Sequence, residues 1–394
     1  MNPDQHFHTD AVRIQAERTP FHEHSVPLYL TSSFVFDDAE HMRALFAEEQ
    51  QGNIYSRFTN PNTTEFIDKM CALEGTEAGY ATATGMAAVF ASIMGLLRSG
   101  DHIVASRSVF GSTHTLLTQY LPRWGITHTY VDINDPSSFE AAITSATKMM
   151  IVETPSNPGL DVIDLDVLGR MCKSHGILLN VDNCFATPYL QRPVDYGADI
   201  IVHSATKWID GQGRVLGGII LGRADLIREI YLFCRNTGPS LSPFNAWVLS
   251  KSLETLAVRM DRHCANAMEI ARFLEAHPMV ERVIYPGLPS HPNHIVAMRQ
   301  MKAGGGIVAM HVKGGIDAGR RFLDAIRMCS LSANIGDTRT IVTHPASTTH
   351  SKLTEEARLA VGILPGLVRV SVGLEDTRAV IADLDQALMK SAEA

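Results

Sequence analysis

Two apolar runs of strand length each lead into residues that could do chemistry. Residues 177–181 run into Asp182, and residues 200–203 run into Ser204, Ala205, Thr206 and Lys207. In an open α/β sheet, ligands bind beyond the carboxyl ends of the strands. A carboxylate and an amine would therefore face one crevice. Asn157, in the run Glu-Thr-Pro-Ser-Asn-Pro-Gly, falls just past another apolar segment and belongs on the same edge. Small residues 81–85 lead into an apolar stretch of helical length. A helix that starts behind a glycine leaves its first N–H groups open to an anion, which its dipole also favours. Gly85 and Met86 are thus candidates to seat a phosphate. Arg369 stands on an apolar strand, Leu-Val-Arg-Val-Ser-Val, where a charge is expensive unless paired. It serves either a structural salt bridge or a bound carboxylate, which a guanidinium grips with two parallel donors. Tyr55 and Arg57 stand one residue apart in a polar, aromatic stretch that by itself reads as an exposed loop.

The elements that would position these residues alternate. From residue 101 onward, strands are separated by single helical segments, the pattern of a parallel sheet with crossover helices. Residues 1–60 read as extended and loop-rich, with a helix opened by Asp37 or Asp38. Thr63 or Thr64 is placed to cap the next helix. Residues 243–278 read as one long helix ending at Pro278. Beyond it, strands and helices mix again. The expected division is an N-terminal extended segment over 1–60, a large domain over 61–250 and a C-terminal domain over 251–394.

Bulk properties narrow the class. The 394 residues favour two domains over one core. A net charge of −8 offers no basic face, which argues against nucleic acid as partner. The six cysteines contain no C-x-x-C pair, which fits a reducing cytoplasm better than a disulfide framework or zinc ribbon. No stretch approaches the roughly 18 apolar residues of a membrane helix. The N-terminus lacks an apolar signal core. His291 with His294, and His344 with His350, lack metal-ligand spacing, so no metal is expected. Gly-Gln-Gly-Arg-Val-Leu-Gly-Gly, at 211–218, precedes a strand, the wrong order for a dinucleotide fingerprint.

Taken in order, the pieces Tyr-Ser-Arg, Thr-Gly-Met, Glu-Thr-Pro-Ser-Asn-Pro, Val-Asp-Asn-Cys-Phe-Ala-Thr-Pro, Ser-Ala-Thr-Lys-Trp-Ile-Asp-Gly, His-Pro-Ala-Ser-Thr-Thr-His and Arg-Val-Ser-Val-Gly-Leu-Glu-Asp resemble the cysteine/methionine-metabolism family of pyridoxal-phosphate enzymes. The resemblance spans nearly the whole chain. The joint occurrence in this order is specific, although no single piece is. It implies a fold-type I α/β transferase: a large domain with a mostly parallel seven-stranded sheet, and a smaller C-terminal α/β domain. It implies pyridoxal 5'-phosphate, carried on Lys207 as a Schiff base, with Lys207 later shuttling protons. Asp182 would pair with the pyridinium nitrogen and keep the ring an electron sink. Gly85, Met86, Ser204 and Thr206 would hold the phosphate, and Phe110 would stack on the ring. Tyr55 and Arg57 would reach the phosphate from a neighbouring subunit, in a homotetramer built as a dimer of dimers with shared sites. Asn157, Asn334 and Arg369 would bind substrate.

Three departures from the family pattern bear on the reaction. Phe110 stands where most relatives carry a tyrosine. It keeps the stacking surface but loses a hydroxyl that could protonate a leaving group. A thiol leaving group benefits from such a proton, whereas a carboxylate leaves without one; Tyr55 is the alternative acid. Ser112 replaces the cysteine typical of methionine γ-lyases. Ala333 stands where relatives that handle cystathionine often carry glutamate. Together these point to replacement at the γ carbon of succinylhomoserine by sulfide, giving homocysteine and succinate. Acetyl or phospho esters, cysteine as nucleophile, and γ-elimination are the alternatives. Arg57 and Arg107 are the candidates for a distal carboxylate.

Overall fold

The computed structural model describes residues 4–392 apart from 134, 350, 352, 353 and 361, so His350 lies outside the described residues. Seven strands make the first sheet: β1 (Ala78–Thr82), β2 (His102–Ser106), β3 (Thr127–Val131), β4 (Thr147–Glu153), β5 (Leu178–Asp182), β6 (Ile200–His203) and β7 (Gly218–Gly222). Their spatial order is β1-β7-β6-β5-β4-β2-β3. The run from β3 through β2, β4 and β5 to β6 is parallel. β7 follows β6 without a crossover helix and lies antiparallel to both β6 and β1. Every residue of β2, β6 and β7 is buried. Such strands are covered on both faces, which is why they read as unbroken apolar runs rather than alternating ones.

A second sheet is formed by β8 (Val280–Ile284), β9 (Ile307–Val312), β10 (Ser330–Leu331), β11 (Ile341–Thr343) and β12 (Leu367–Ser371), in the order β10-β11-β12-β9-β8. It is antiparallel apart from β10 against β11. The expected mostly parallel seven-stranded sheet with a second, smaller sheet unit is therefore present.

Several local expectations needed correction. The N-terminal segment is not wholly extended: α1 (Asp4–Arg13) is helical. It buries Phe7 and Ala11, four residues apart on one face, and sets Phe7 5.2 Å from the Tyr189 ring. α2 (Ala39–Phe46) does start behind Asp38, whose side chain accepts from the His41 N–H. α3 (Pro61–Glu74) is capped by Asn60 rather than Thr63 or Thr64. Asn60 Oδ1 accepts from the Asn62 N–H at 3.0 Å, and Thr63 Oγ1 accepts from the Asn60 N–H at 3.2 Å. Pro61, at the first helical position, sets the start one turn earlier than the threonines suggest. α4 (Gly85–Met94) follows Thr84 as cap. The stretch 243–278 holds two helices, Pro243–Leu253 and Leu256–Glu275. The break at residues 254 and 255 leaves the Ser252 carbonyl for the buried Arg259, whose Nη2 donates to it at 2.9 Å. Arg259 Nη1 also donates to the Trp208 carbonyl at 2.7 Å, so the break ties this helix to the residue after Lys207.

Candidate active site

Lys207 sits in the turn that follows β6. Its N–H donates to the Ser204 carbonyl at 3.1 Å, and the Gly211 N–H donates to the Lys207 carbonyl at 2.8 Å. From the other sheet unit comes residue 336, with φ of +74°, close to the turn; a Cβ there would lie 2.6 Å from the Trp208 nitrogen. Only glycine fits that backbone and that spacing. This close approach brings Asn334 to the site, and the Lys207 amine donates to Asn334 Oδ1 at 2.6 Å. Burial lowers the Lys207 amine below its usual range, and the Arg369 guanidinium adds to this.

Asp182 ends β5, in register with Glu153 on β4 and Val202 on β6. Its Oδ1 accepts from the Cys184 N–H at 3.0 Å. Glu153 is buried, and its Oε2 accepts from the Phe110 N–H at 2.8 Å. Burial raises both carboxyls. The charge of Asp182 raises Glu153 further, well above the usual carboxylate range. Neither makes an ion pair among the described residues. Both effects favour the protonated form of Glu153, and Asp182, at the strand end, faces the site without a cationic partner. A protonated ring nitrogen supplies one, so this end of the site fits a pyridinium.

At the other end, Gly85 opens α4. A Cβ on Gly85 would come within 2.6 Å of the Ser204 Cβ, so a side chain there would fill the space between α4 and the turn after β6. Thr84 Oγ1 accepts from the Ala87 N–H at 3.1 Å. The N–H groups of Gly85 and Met86 are left without intrahelical acceptors, which suits a phosphate, with the Ser204 hydroxyl beside them. Thr206 follows in the same turn. Its hydroxyl donates to the Gly217 carbonyl at 3.2 Å and accepts from the Gly217 N–H at 3.0 Å. These contacts brace β7 against the lysine turn.

Arg369, on β12, is buried. Nη1 donates to Asn157 Oδ1 at 2.8 Å, and Nη2 donates to the carbonyls of Ala333 and Asn334, both at 3.3 Å. Its Nε has no partner among the described residues. Burial lowers it to about 10, opposed by Glu153, so it remains cationic at neutral pH. A buried guanidinium with an unused donor and no carboxylate of its own is placed to take one from a ligand. Asn157 and Arg369 are thus brought together with Asn334 and Lys207.

Tyr55 and Arg57 are not joined to this group within the single chain. Arg57 Nη1 donates to the Arg235 carbonyl, and its guanidinium lies 5.5 Å from the Tyr55 ring and 4.9 Å from the Phe58 ring. Tyr55 and Phe110 are about two-fifths exposed, at 40% and 44%.

Reading the sequence missed Glu153, although it opens the motif that supplied Asn157. It also missed the polar frame beneath the strand ends. Asn183 Nδ2 donates to Glu74 Oε1 at 2.9 Å, and Gln191 Nε2 donates to the Thr154 carbonyl at 2.9 Å. His203 Nε2 lies 2.5 Å from Glu74 Oε1. The available signal was polar residues inside otherwise apolar strand ends. Because burial and the Asp182 charge favour the neutral form of Glu153, which accepts from the Phe110 N–H, Glu153→Gln is expected to keep kcat/KM within roughly threefold of wild type. Glu153→Ala, which orphans the Phe110 N–H at a cost of about 1–3 kcal/mol, is expected to lower it roughly tenfold or more. A large loss in Glu153→Gln would show that a charge is needed there.

A family model described as Cys/Met metabolism PLP-dependent enzyme matches residues 8–389. The chain is 49% identical over 382 residues to O-succinylhomoserine sulfhydrylase of Pseudomonas aeruginosa, covering 97% of this chain and 95% of that one. It is 43% identical over 385 residues to L-methionine gamma-lyase of Porphyromonas gingivalis, covering 97% and 96%. Among solved structures, a putative O-acetylhomoserine (thiol)-lyase from Campylobacter jejuni superposes with a TM-score of 0.93 at 34% identity, covering 97% of this chain and 99% of that one. That structure carries N'-pyridoxyl-lysine-5'-monophosphate.

Proposed function

Because the chain belongs to the Cys/Met metabolism PLP-dependent enzymes, with pyridoxal 5'-phosphate as cofactor, we propose that it replaces the acyl group of O-succinylhomoserine with sulfide, acting as an O-succinylhomoserine sulfhydrylase. In the overall reaction the Cγ–O bond breaks and succinate leaves with the electron pair. A Cγ–S bond forms to hydrosulfide, giving homocysteine. When bound, the cofactor supplies the electron sink that makes protons near the substrate amine acidic. In this reading Lys207 takes and returns those protons, burial favouring the unprotonated amine that can accept them. Asp182 holds the ring nitrogen cationic. Gly85, Met86 and Ser204 hold the phosphate. Arg369 and Asn157 take the α-carboxylate, and Asn334 aligns the Lys207 amine.

The observation that carries the choice of reaction is Phe110. Its backbone N–H is held by Glu153, the neighbour of Asp182, and its side chain offers no hydroxyl. That suits a leaving carboxylate better than a leaving thiol. Ala333, whose backbone carbonyl accepts from Arg369, contributes no carboxylate for the amino group of cysteine, which supports sulfide as nucleophile. The second relative keeps γ-elimination as the competing reading.

Assembly enters the same proposal. The N-terminal segment displays Phe21 at 92%, Leu30 at 68% and Val35 at 96% exposure, more apolar surface than one chain covers by itself. We infer a tetramer of paired chains in which Tyr55 and Arg57 complete a neighbour's site. All six cysteines are free, consistent with a reducing cytoplasm. No helix among the described residues is long and apolar enough to cross a membrane.

A substrate panel tests the assignment. Succinyl-, acetyl- and phosphohomoserine are each offered with sulfide or cysteine, and homocysteine, cystathionine and 2-oxobutyrate are measured. Homocysteine from the succinyl ester and sulfide is expected to dominate, and dominant cystathionine would overturn the reading. In the same assay Phe110→Tyr is expected to raise 2-oxobutyrate release from methionine by roughly tenfold, the order of one hydrogen bond to a developing charge.

A further inference from the structure

A second cavity of about 250 Å³ lies between the two sheet units, behind the Glu-Thr-Pro-Ser-Asn-Pro loop. Asn157 is the one substrate-site residue named above that lines it; Lys207, Asp182, Asn334 and Arg369 do not. Its wall from the second sheet is built by register. Arg282 on β8 stands directly across from His311 on β9. Two residues along β9, Ala309 pairs with Arg369 on β12. Side chains two apart on a strand share a face. Arg282, His311 and Arg369 therefore project from one face of the sheet, and the cavity lies farther along the face that carries the substrate anchor.

Two features set this cavity apart from a packing defect. Its charges are unpaired. The Arg282 guanidinium, on an exposed residue at the cavity wall, makes no hydrogen bond or ion pair among the described residues. Across the cavity, Asp161 has one oxygen occupied by the Ser156 hydroxyl at 2.8 Å and no cationic partner. The two opposite charges line one space yet do not form an ion pair with each other. Beside Arg282, His311 is 8% exposed, lines the cavity, and its ring makes no hydrogen bond among the described residues. Other wall residues are satisfied: His291 Nε2 lies 3.1 Å from the Leu160 carbonyl, and Asn293 Nδ2 donates to the Val162 carbonyl at 2.7 Å. The His311 ring nitrogens, unpaired among the described residues and lining the cavity, are open to a ligand there.

We propose that this cavity is a binding site for a free zwitterionic α-amino acid, whose carboxylate is taken by Arg282 and His311 and whose ammonium is taken by Asp161. A simple anion would leave Asp161 facing like charge, and a simple cation would leave Arg282 so. A molecule with both charges answers both. The size agrees. Drug-sized ligands occupy roughly 300–1,000 Å³, so a space slightly smaller suits an amino acid and excludes a nucleotide. Burial, with Arg282 alongside, lowers His311 below its usual range. The neutral ring can therefore donate to a carboxylate without adding a second charge.

Calorimetric titration of the holoenzyme with L-methionine, followed in parallel by visible absorbance, tests the assignment. The expected result is one equivalent per chain that leaves the cofactor spectrum unchanged, separate from any equivalent that perturbs it. Arg282→Ala and Asp161→Asn are each expected to weaken the silent equivalent at least tenfold and leave the optical one intact. His311→Gln, which keeps a polar side chain at the buried position, is expected to weaken it severalfold. Absence of a silent equivalent, or one unmoved by Arg282→Ala and Asp161→Asn, overturns the proposal. So does displacement of methionine by succinate or inorganic phosphate with equal affinity, which would make this a plain anion site. Loss of the optical response alone bears on the Arg369 anchor instead.

Discussion

Lys207→Ala is expected to abolish the visible absorbance of the purified protein and to lower turnover at least about 10⁴-fold, while the chain stays folded. The size follows from the two jobs one amine holds. In the proposed role it is both the attachment point that fixes the reacting group and the nearby base that moves protons. A positioned proton-transfer group alone contributes roughly 10²–10⁴-fold. The fold should survive because the turn is held by its backbone and by neighbours. Arg259 donates to the carbonyls of Trp208 and Ile209, and the Asp210 N–H donates to the Ala205 carbonyl at 2.9 Å. Deleting the amine leaves those contacts in place. It orphans Asn334 Oδ1, whose half-exposed position lets water replace the lost donor. Borohydride treatment of the wild type provides the covalent counterpart: it should fix the cofactor to the chain at Lys207. A variant that keeps both colour and activity would remove Lys207 from the centre of the site.

Most of the positioning of these groups was legible because it rests on short-range rules. Asp182 and Lys207 follow apolar runs of strand length, and the parallel sheet sends both to one edge. Gly85 before an apolar helix, and Arg369 within an apolar strand, stand out by residue type. What stayed hidden depends on depth and register. Glu153 looks like a surface carboxylate in the sequence. Only its pairing with Asp182 across two parallel strands, with the Phe110 N–H above it, makes it a buried acceptor whose neutral form is favoured. Arg282 and His311 are separated by a loop and a helix in sequence, and only the antiparallel register sets them side by side. The break after Leu253 was invisible because a buried arginine, not a proline or glycine, makes it tolerable. The Thr206 hydroxyl's contacts with Gly217 were likewise hidden, because they arise only when β7 folds back antiparallel.

Arg369→Lys is expected to raise KM for the amino-acid substrate by roughly 30- to 100-fold, change kcat little, and leave the cofactor bound. The reason lies in how the present side chain is spent. One Nη is held by Asn157 and the other by two backbone carbonyls, which lock the guanidinium plane, while Nε is left free. A carboxylate meeting that plane would gain parallel donors in a dry site. A lysine offers one rotating point charge and loses the planar match. Charge-assisted hydrogen bonds are each worth about 1.5–3 kcal/mol, and losing one such bond with the charge retained gives roughly 2–3 kcal/mol. At about 1.4 kcal/mol per decade, that is the stated range. The effect should fall on KM because the α-carboxylate is held alike before and during the reaction, and uniform binding of that kind lowers KM without raising kcat. Asn157→Ala should move in the same direction by a smaller amount, since it frees the guanidinium plane without removing the charge. An unchanged KM in Arg369→Lys would mean that the substrate carboxylate is anchored elsewhere. The buried guanidinium would then serve only to join the second sheet unit to the loop at Asn157.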